Sequence, residues 1–314
     1  MSKDIKTATY KITHTTTYRY GEMVPVCHNE VHLTPRDTAS QCCHHTRLQI
    51  KPHPDIVSRR HDYFGNVVHS FSIPEGHRRL SVSATSRVDV KERVLAAPAK
   101  SPAWDIVRDG MRQPHDEDRF GALQFLFNSP SVVASADLRA YAEPSFTAGR
   151  PILDAIGELT TRIHKDFKYD PRATTVNTPL EEVLELRRGV CQDFAHLQIG
   201  CLRSIGLPAR YVSGYLRTIP PPGKPRLIGA DASHAWLSVF CNESGWVDVD
   251  PTNDCFINLD HITVAWGRDY TDVCPIKGVF VGGGAHTMAV SVDVEPLTMA
   301  DSADHGFEGL ASTM

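Results

Sequence analysis

The chain has 314 residues, with 33 Lys+Arg against 37 Asp+Glu, a formal net charge of −4 and a pI near 6.5. A hydrophobic fraction of 41% and a charged fraction of 22% are ordinary globular values and exclude a disordered tail or a fibre. The near-neutral charge excludes nucleic acid as the default partner, and no stretch approaches the roughly 18 uninterrupted apolar residues of a membrane-spanning helix.

At roughly 150 residues per domain the length predicts about two domains with a sizeable core. The polar start, Met1-Ser2-Lys3-Asp4, has no apolar h-region, which predicts a cytoplasmic protein. In that compartment the 8 cysteines are expected to be free thiols rather than staples.

Residues 1–95 read as β structure: Thr7 to Tyr20, Asn29 to Leu33, Thr46 to Ile50, Val67 to Ile73 and Leu80 to Val90 alternate and are rich in Thr, Tyr, Val and Ile. Turn residues such as Pro35, Gly65-Asn66 and Pro74-Glu75-Gly76 separate them, which predicts an N-terminal antiparallel β-sandwich domain. Residues 96–130, with Pro98, Pro102, Pro114 and Pro130, read as a connector with one helical turn. Helical spacing follows in Ser131 to Tyr141, in Pro151 to Phe167 and in Pro179 to Arg187, where Thr178 is a plausible N-cap.

The helix Gln192 to Ile205, stopped by Gly206 and Pro208, comes next. Strands are predicted at Ala209 to Leu216, His234 to Asn242 and Trp246 to Val249, with more strand pattern in Cys255 to Pro296 and frayed residues after Met299. Residues 131–314 are thus expected to form one catalytic core, α+β in class.

Cys191 stands after a glycine at the first turn of an apolar helix. Helix N-terminal N–H groups and the positive end of the dipole favour a thiolate there, and the same groups can stabilise an oxyanion. His234 opens a strand downstream, and Asp250 ends the next strand across a hairpin at Asn242 to Gly245. A thiol, a base and an orienting carboxylate are the parts of an activated-cysteine site. A lone histidine among 16 would mean little; the ordered triple in these contexts carries the argument. Asp248, two residues before Asp250, shares its strand face and is the rival carboxylate.

Arg188-Gly189-Val190-Cys191-Gln192-Asp193-Phe194-Ala195-His196, Gly206-Leu207-Pro208-Ala209-Arg210-Tyr211, His234-Ala235-Trp236, Gly245-Trp246 and Asp250-Pro251-Thr252 together resemble the bacterial transglutaminase-like superfamily. The strand region around Asp62-Tyr63-Phe64-Gly65-Asn66 resembles the β domain that precedes this core in bacterial members. The resemblance covers about residues 5–295. It implies a papain-like core, a nucleophile helix packed on an antiparallel sheet, with Cys191 as nucleophile, His234 as general base and acid, and Asp250, the carboxylate before Pro-Thr, as orienter.

The Cys191 backbone N–H is the expected oxyanion donor, with Tyr169 as candidate second donor. Asp193 and His196 are expected to be structural hydrogen-bond partners. Cys27, His28, His32, Cys42, Cys43, His44 and His45 match no paired metal template. The Gly282-Gly283-Gly284 run lacks the Lys-Ser/Thr of a phosphate loop, and Pro220-Pro221-Pro222-Gly223 reads as a surface loop near the cleft. No cofactor and no metal are predicted; the partner is a peptide or protein substrate, and oligomeric state is not readable. The expected activity is hydrolysis of peptide or amide bonds through a thioacyl enzyme. Acyl transfer to an amine and a catalytically silent peptide-binding module are the alternatives.

Overall fold

A computed structural model of the chain describes residues 5–95, 97–219, 229 and 231–297. Six strands come first: β1 (Thr7–Val24), β2 (Cys27–Val31), β3 (Gln41–Lys51), β4 (Ile56–His61), β5 (Val67–Ile73) and β6 (His77–Lys91). Their period-two patterns put one face inward: along β6, Leu80, Val82, Ala84, Val88 and Val90 are buried while their neighbours are not.

The segment expected to be a connector holds two short helices, α1 (Trp104–Gly110) and α2 (Glu117–Leu123), whose Trp104, Val107 and Ala122 are buried. Then come α3 (Ala136–Ala142), capped by the Ser135 side chain, and α4 (Ile152–Asp166), which buries Ile152, Ile156, Leu159 and Ile163 at helical spacing. After β7 (Lys168–Tyr169), α5 (Leu180–Leu186) starts after Pro179 rather than Thr178, and it stops at Arg187, which adopts the left-handed conformation with φ 53°.

A two-residue strand β8 (Arg188–Gly189) leads into α6 (Cys191–Ser204). The remaining elements are β9 (Ala209–Leu216), β10 (Ala232–Phe240), β11 (Trp246–Asp250), β12 (Cys255–Phe256), β13 (His261–Gly267), α7 (Tyr270–Val273), β14 (Ile276–Phe280) and β15 (His286–Leu297).

Three main sheets result, ordered β15-β1-β6-β3, β14-β2-β5-β4 and β12-β11-β10-β9-β13. The first two face each other as the sandwich. The third carries α6, which is buried on nearly every side because helices α3, α4 and α5 cover what the sheet does not. This α+β arrangement, a β domain joined to a helix-on-sheet core, is the expected class.

The expected boundary at residue 131 is crossed, however. β14 pairs with β2 from Ile276↔Val31 to Phe280↔Cys27, and β15 pairs with β1 over twelve positions, from Thr9↔Leu297 to Tyr20↔His286. The last two strands therefore complete the sandwich rather than the core. The reason is that a strand pattern specifies a buried face but not a partner; the long outer edge of β1 is satisfied by the chain's other end. Gly282, Gly283 and Gly284, all at positive φ, make the turn between these strands, a loop as expected. Pro220 to Gly223 and the residues after Met299 lie outside the described residues.

One hydrophobic core joins the two halves. Tyr10 and Ile12 of β1 and Val88 and Val90 of β6 pack in the same cluster as Leu197 of α6 and Tyr211 of β9. A second cluster, with Tyr20, Leu80, Val82 and Phe71, lies between the sandwich sheets. β1, at 18 residues and roughly 60 Å long, is extended enough to serve both. Among the described residues no helix is long and apolar enough to cross a membrane.

Candidate active site

Cys191 is the first residue of α6. The turn that delivers it is braced by Asp193, whose Oδ2 accepts the Val190 N–H at 2.8 Å and the Thr174 hydroxyl at 2.6 Å. Gly189 is needed for this: a Cβ there would lie 2.5 Å from that same Oδ2. Asp193 thus spends its carboxylate on the backbone, and burial raises its affinity for a proton, opposed by those two hydrogen bonds. His196, one turn further, accepts the Tyr270 backbone N–H on Nε2 at 3.1 Å and lies 4.9 Å from the Tyr211 ring; burial lowers its pKa to about 4. Both are hydrogen-bond partners of the scaffold.

His234 lies near the start of β10, opposite Gly214 of β9. A Cβ at Gly214 would come within 2.3 Å of the Trp236 ring, so glycine is what lets the sheet seat that indole beside His234. The His234 Nε2 meets Asp250 Oδ2 at 2.6 Å. Burial by itself disfavours an imidazolium here, but hydrogen bonds to Asp250 and to the Cys191 sulfur outweigh it and push the pKa up to about 10. The register separates the two carboxylates. Asp248 stands opposite Ser238 and accepts from the Ser238 hydroxyl at 2.5 Å and the Trp236 indole N–H at 3.1 Å. It is consumed there, one diagonal step too far along for His234.

Asp250 is completely buried and its carboxylate is fully engaged. Oδ1 accepts the Thr252 and Asn253 backbone N–H groups at 2.9 and 3.2 Å. Oδ2 receives, besides His234, the Asn253 amide at 2.6 Å and His261 Nε2 at 3.1 Å. Burial would raise this carboxyl's pKa, yet the donors from His234, His261 and Asn253 hold it well below the usual carboxylate range. His261 and Asn253 were not foreseen. Asn253 had a signal, the Asp-Pro-Thr-Asn run in which a carboxylate bonds the backbone two and three residues on; His261 had none. His234, Asp250 and His261 are also the one triple of possible metal ligands among the described residues, but these atoms are already bonded to one another.

Tyr169 pairs with Gly189 across the short parallel β7–β8 ladder, which puts it beside the turn that leads to Cys191. It is 53% exposed, and partial burial together with the nearby Cys191 raises its phenol pKa. Of the Cys and His residues of the sandwich, Cys27 bonds His77 at 3.7 Å, His44 bonds Asp89 at 2.8 Å, and His32 bonds the Cys274 carbonyl at 3.1 Å.

Cys191 and His234 open onto a cleft of about 440 Å³. Its lining comes from both halves of the molecule. Val190, Gln192 and Tyr211 line it from the helix-and-sheet core, and His14, Tyr18 and Met288 from the sandwich.

A family model for the transglutaminase-like superfamily matches residues 139–251, an interval that contains Cys191, His234 and Asp250. A second, for the bacterial transglutaminase-like N-terminal region, matches residues 10–89. The chain belongs to the transglutaminase-like superfamily. Its superfamily relatives include an uncharacterized protein of Mycobacterium tuberculosis, 41% identical over 297 residues, which span 91% of this chain and 92% of the relative. Another, from Mycobacterium leprae, is 32% identical over 291 residues, 91% of this chain and 98% of that one.

A protein-glutamine gamma-glutamyltransferase of Pseudomonas aeruginosa is 35% identical over 102 residues, 30% of this chain and 15% of that protein. Among solved structures, a candidate cysteine protease from Cytophaga hutchinsonii superposes on this transglutaminase-like chain with a TM-score of 0.75. It shares 22% identity and covers 93% of this chain and 92% of its own. That likeness extends the fold to the whole chain, sandwich included.

Proposed function

We propose that the protein is a cysteine-nucleophile acyl-transfer enzyme that hydrolyses peptide or amide bonds through a thioacyl intermediate. The observation that carries this reading is His234, whose Nε2 bonds Asp250 at 2.6 Å and whose proton affinity Asp250 and the neighbouring Cys191 raise against its burial. With the thiol proton already held on His234 as an imidazolium, the Cys191 sulfur attacks the substrate carbonyl. Asp250 stays anionic, fixes the ring's orientation and stabilises the imidazolium. The oxyanion forms at the start of α6, where the Cys191 N–H is the first donor and Tyr169 the candidate second. His234 then returns its proton to the leaving amine, and water, deprotonated by the same imidazole, cleaves the thioester.

Cys191→Ala is expected to abolish both amide hydrolysis and modification of position 191 by iodoacetamide at neutral pH. Hydrolysis that persists in the variant overturns the reading. The second reading, transfer of the acyl group to an amine, is favoured by the stretch shared with the Pseudomonas glutamyltransferase. Product analysis with and without an added primary amine separates the two, because only transfer yields the substituted amide. We place the enzyme in the cytoplasm, a reading supported by eight free cysteines, with a peptide or protein as its partner.

A further inference from the structure

The sandwich contributes one continuous face to the cleft. His14, Thr16 and Tyr18 alternate along β1 and all line it; on β15 the lining residues are Val292, Val290 and Met288. The register pairs them directly: His14↔Val292, Thr16↔Val290 and Tyr18↔Met288. This ribbon is tied to the strand that bears His234. The Asp231 backbone N–H bonds the Val292 carbonyl at 3.1 Å, and Asp231 Oδ2 accepts the Val294 N–H at 2.7 Å.

The chemistry of this face is uncharged. Among the described lining residues there is no lysine or arginine. The Asp231 carboxylate is occupied by the Val294 and Thr218 backbone N–H groups, both at 2.7 Å. His14 is bonded on both nitrogens, to the Tyr215 and Thr16 hydroxyls at 3.0 Å. Deeper residues are closed off, but Met288 and Val290 are 59% and 48% exposed. Two bare apolar side chains beside a nucleophile leave surface whose burial by an apolar group is favourable, whereas a charge placed there loses water and gains no partner.

We propose that Tyr18, Met288 and Val290 form the specificity wall of the enzyme. They receive an uncharged aliphatic or aromatic side chain of the acyl donor, next to the carbonyl that Cys191 attacks. The inference rests on the proposed role of Cys191, and its test reads recognition separately from turnover. The wild type and the variants Val290→Lys and Val290→Glu are treated with three haloacetamides bearing a benzyl, a carboxylate or an ammonium arm. In each case the Cys191 sulfur bonds to the methylene carbon and halide leaves. Modification of Cys191 is followed by peptide mass mapping, and the same proteins are assayed on coumarin amides of acetyl-Phe, acetyl-Glu and acetyl-Lys.

The wild type is expected to react about tenfold faster with the benzyl probe than with either charged one. Val290→Lys should shift preference to the carboxylate arm and Val290→Glu to the ammonium arm, a swap that loss of folding does not produce. Equal wild-type rates with all three probes, or ratios that neither variant moves, overturn the proposal. Benzyl preference without hydrolysis of any amide leaves the wall standing and removes the hydrolytic reading. Hydrolysis indifferent to the acyl side chain does the reverse.

Discussion

A single carboxylate, Asp250, organises the chemistry of this site. Five donors converge on it, from two histidines, one amide side chain and two backbone N–H groups. An anion so completely satisfied is held well below the usual carboxylate range, and it holds the His234 imidazole in one orientation. Asp250→Asn is expected to lower turnover about ten-thousandfold, as loss of an orienting carboxylate does in comparable triads. It should also release the extra proton affinity of His234.

The wild-type His234 pKa, raised to about 10, means the imidazolium persists through neutral pH, and its contribution to stability is lost only as pH rises towards that value. Proton NMR of the ring checks this: the wild-type His234 resonance should not titrate between roughly pH 6 and 8, and that of Asp250→Asn should move back towards the ordinary histidine value. His261→Gln keeps the Asp250 charge, so the His234 resonance there should still not titrate between roughly pH 6 and 8.

At the scale of elements, the start of α6 is where sequence and chemistry meet most directly. Gly189 exists to let Asp193 fold back over the turn, and Asp193 exists to hold the Val190 N–H. Gly189→Ala is expected to cost about 1–3 kcal/mol, the usual result of forcing an atom into filled space. Asp193→Ala should cost about 1 kcal/mol, the price of a lost helix cap. Urea denaturation measures both, and Asp193→Asn should recover most of the second loss, because an amide oxygen still accepts. In either destabilised variant the rate of Cys191 alkylation should fall as well, since the turn sets where the sulfur points.

This region was legible from sequence because Gly189, Val190 and Asp193 lie within a few residues of Cys191; Thr174, the second donor to Asp193, does not. The choice between Asp248 and Asp250 was legible only through family resemblance. The β10–β11 register, in which Asp248 faces Ser238, is the physical feature that separates them.

For the whole molecule, the two halves share a core and a cleft, so acid should affect them together. His14 at the cleft and His196 under α6 are both buried, and burial lowers each pKa to about 4. Unfolded, each would bind its proton near the ordinary value of about 6.5, so between those limits the unfolded state takes up more protons. Stability is therefore expected to fall as pH drops from about 6.5 to 4, by on the order of 3 kcal/mol for each histidine. Urea unfolding at pH 7 and pH 4.5 measures the slope, and His14→Gln should flatten it.

Local sequence determined a good deal by itself: alternation gave β1, β2, β3, β5 and β6 but not β4, whose six residues are all exposed and carry no buried face, helical spacing gave α4 and α6, and the ordered motifs marked Cys191, His234 and Asp250. It did so because those signals depend on neighbours a few residues apart. Only tertiary structure decided that β14 and β15 return to the sandwich, that His261 closes on Asp250, and that Tyr18 and Met288 line the cleft onto which Cys191 opens. Those arrangements join residues far apart in the chain, where pairing is chosen by which buried edges and carboxylate oxygens remain to be satisfied, a choice no local pattern encodes.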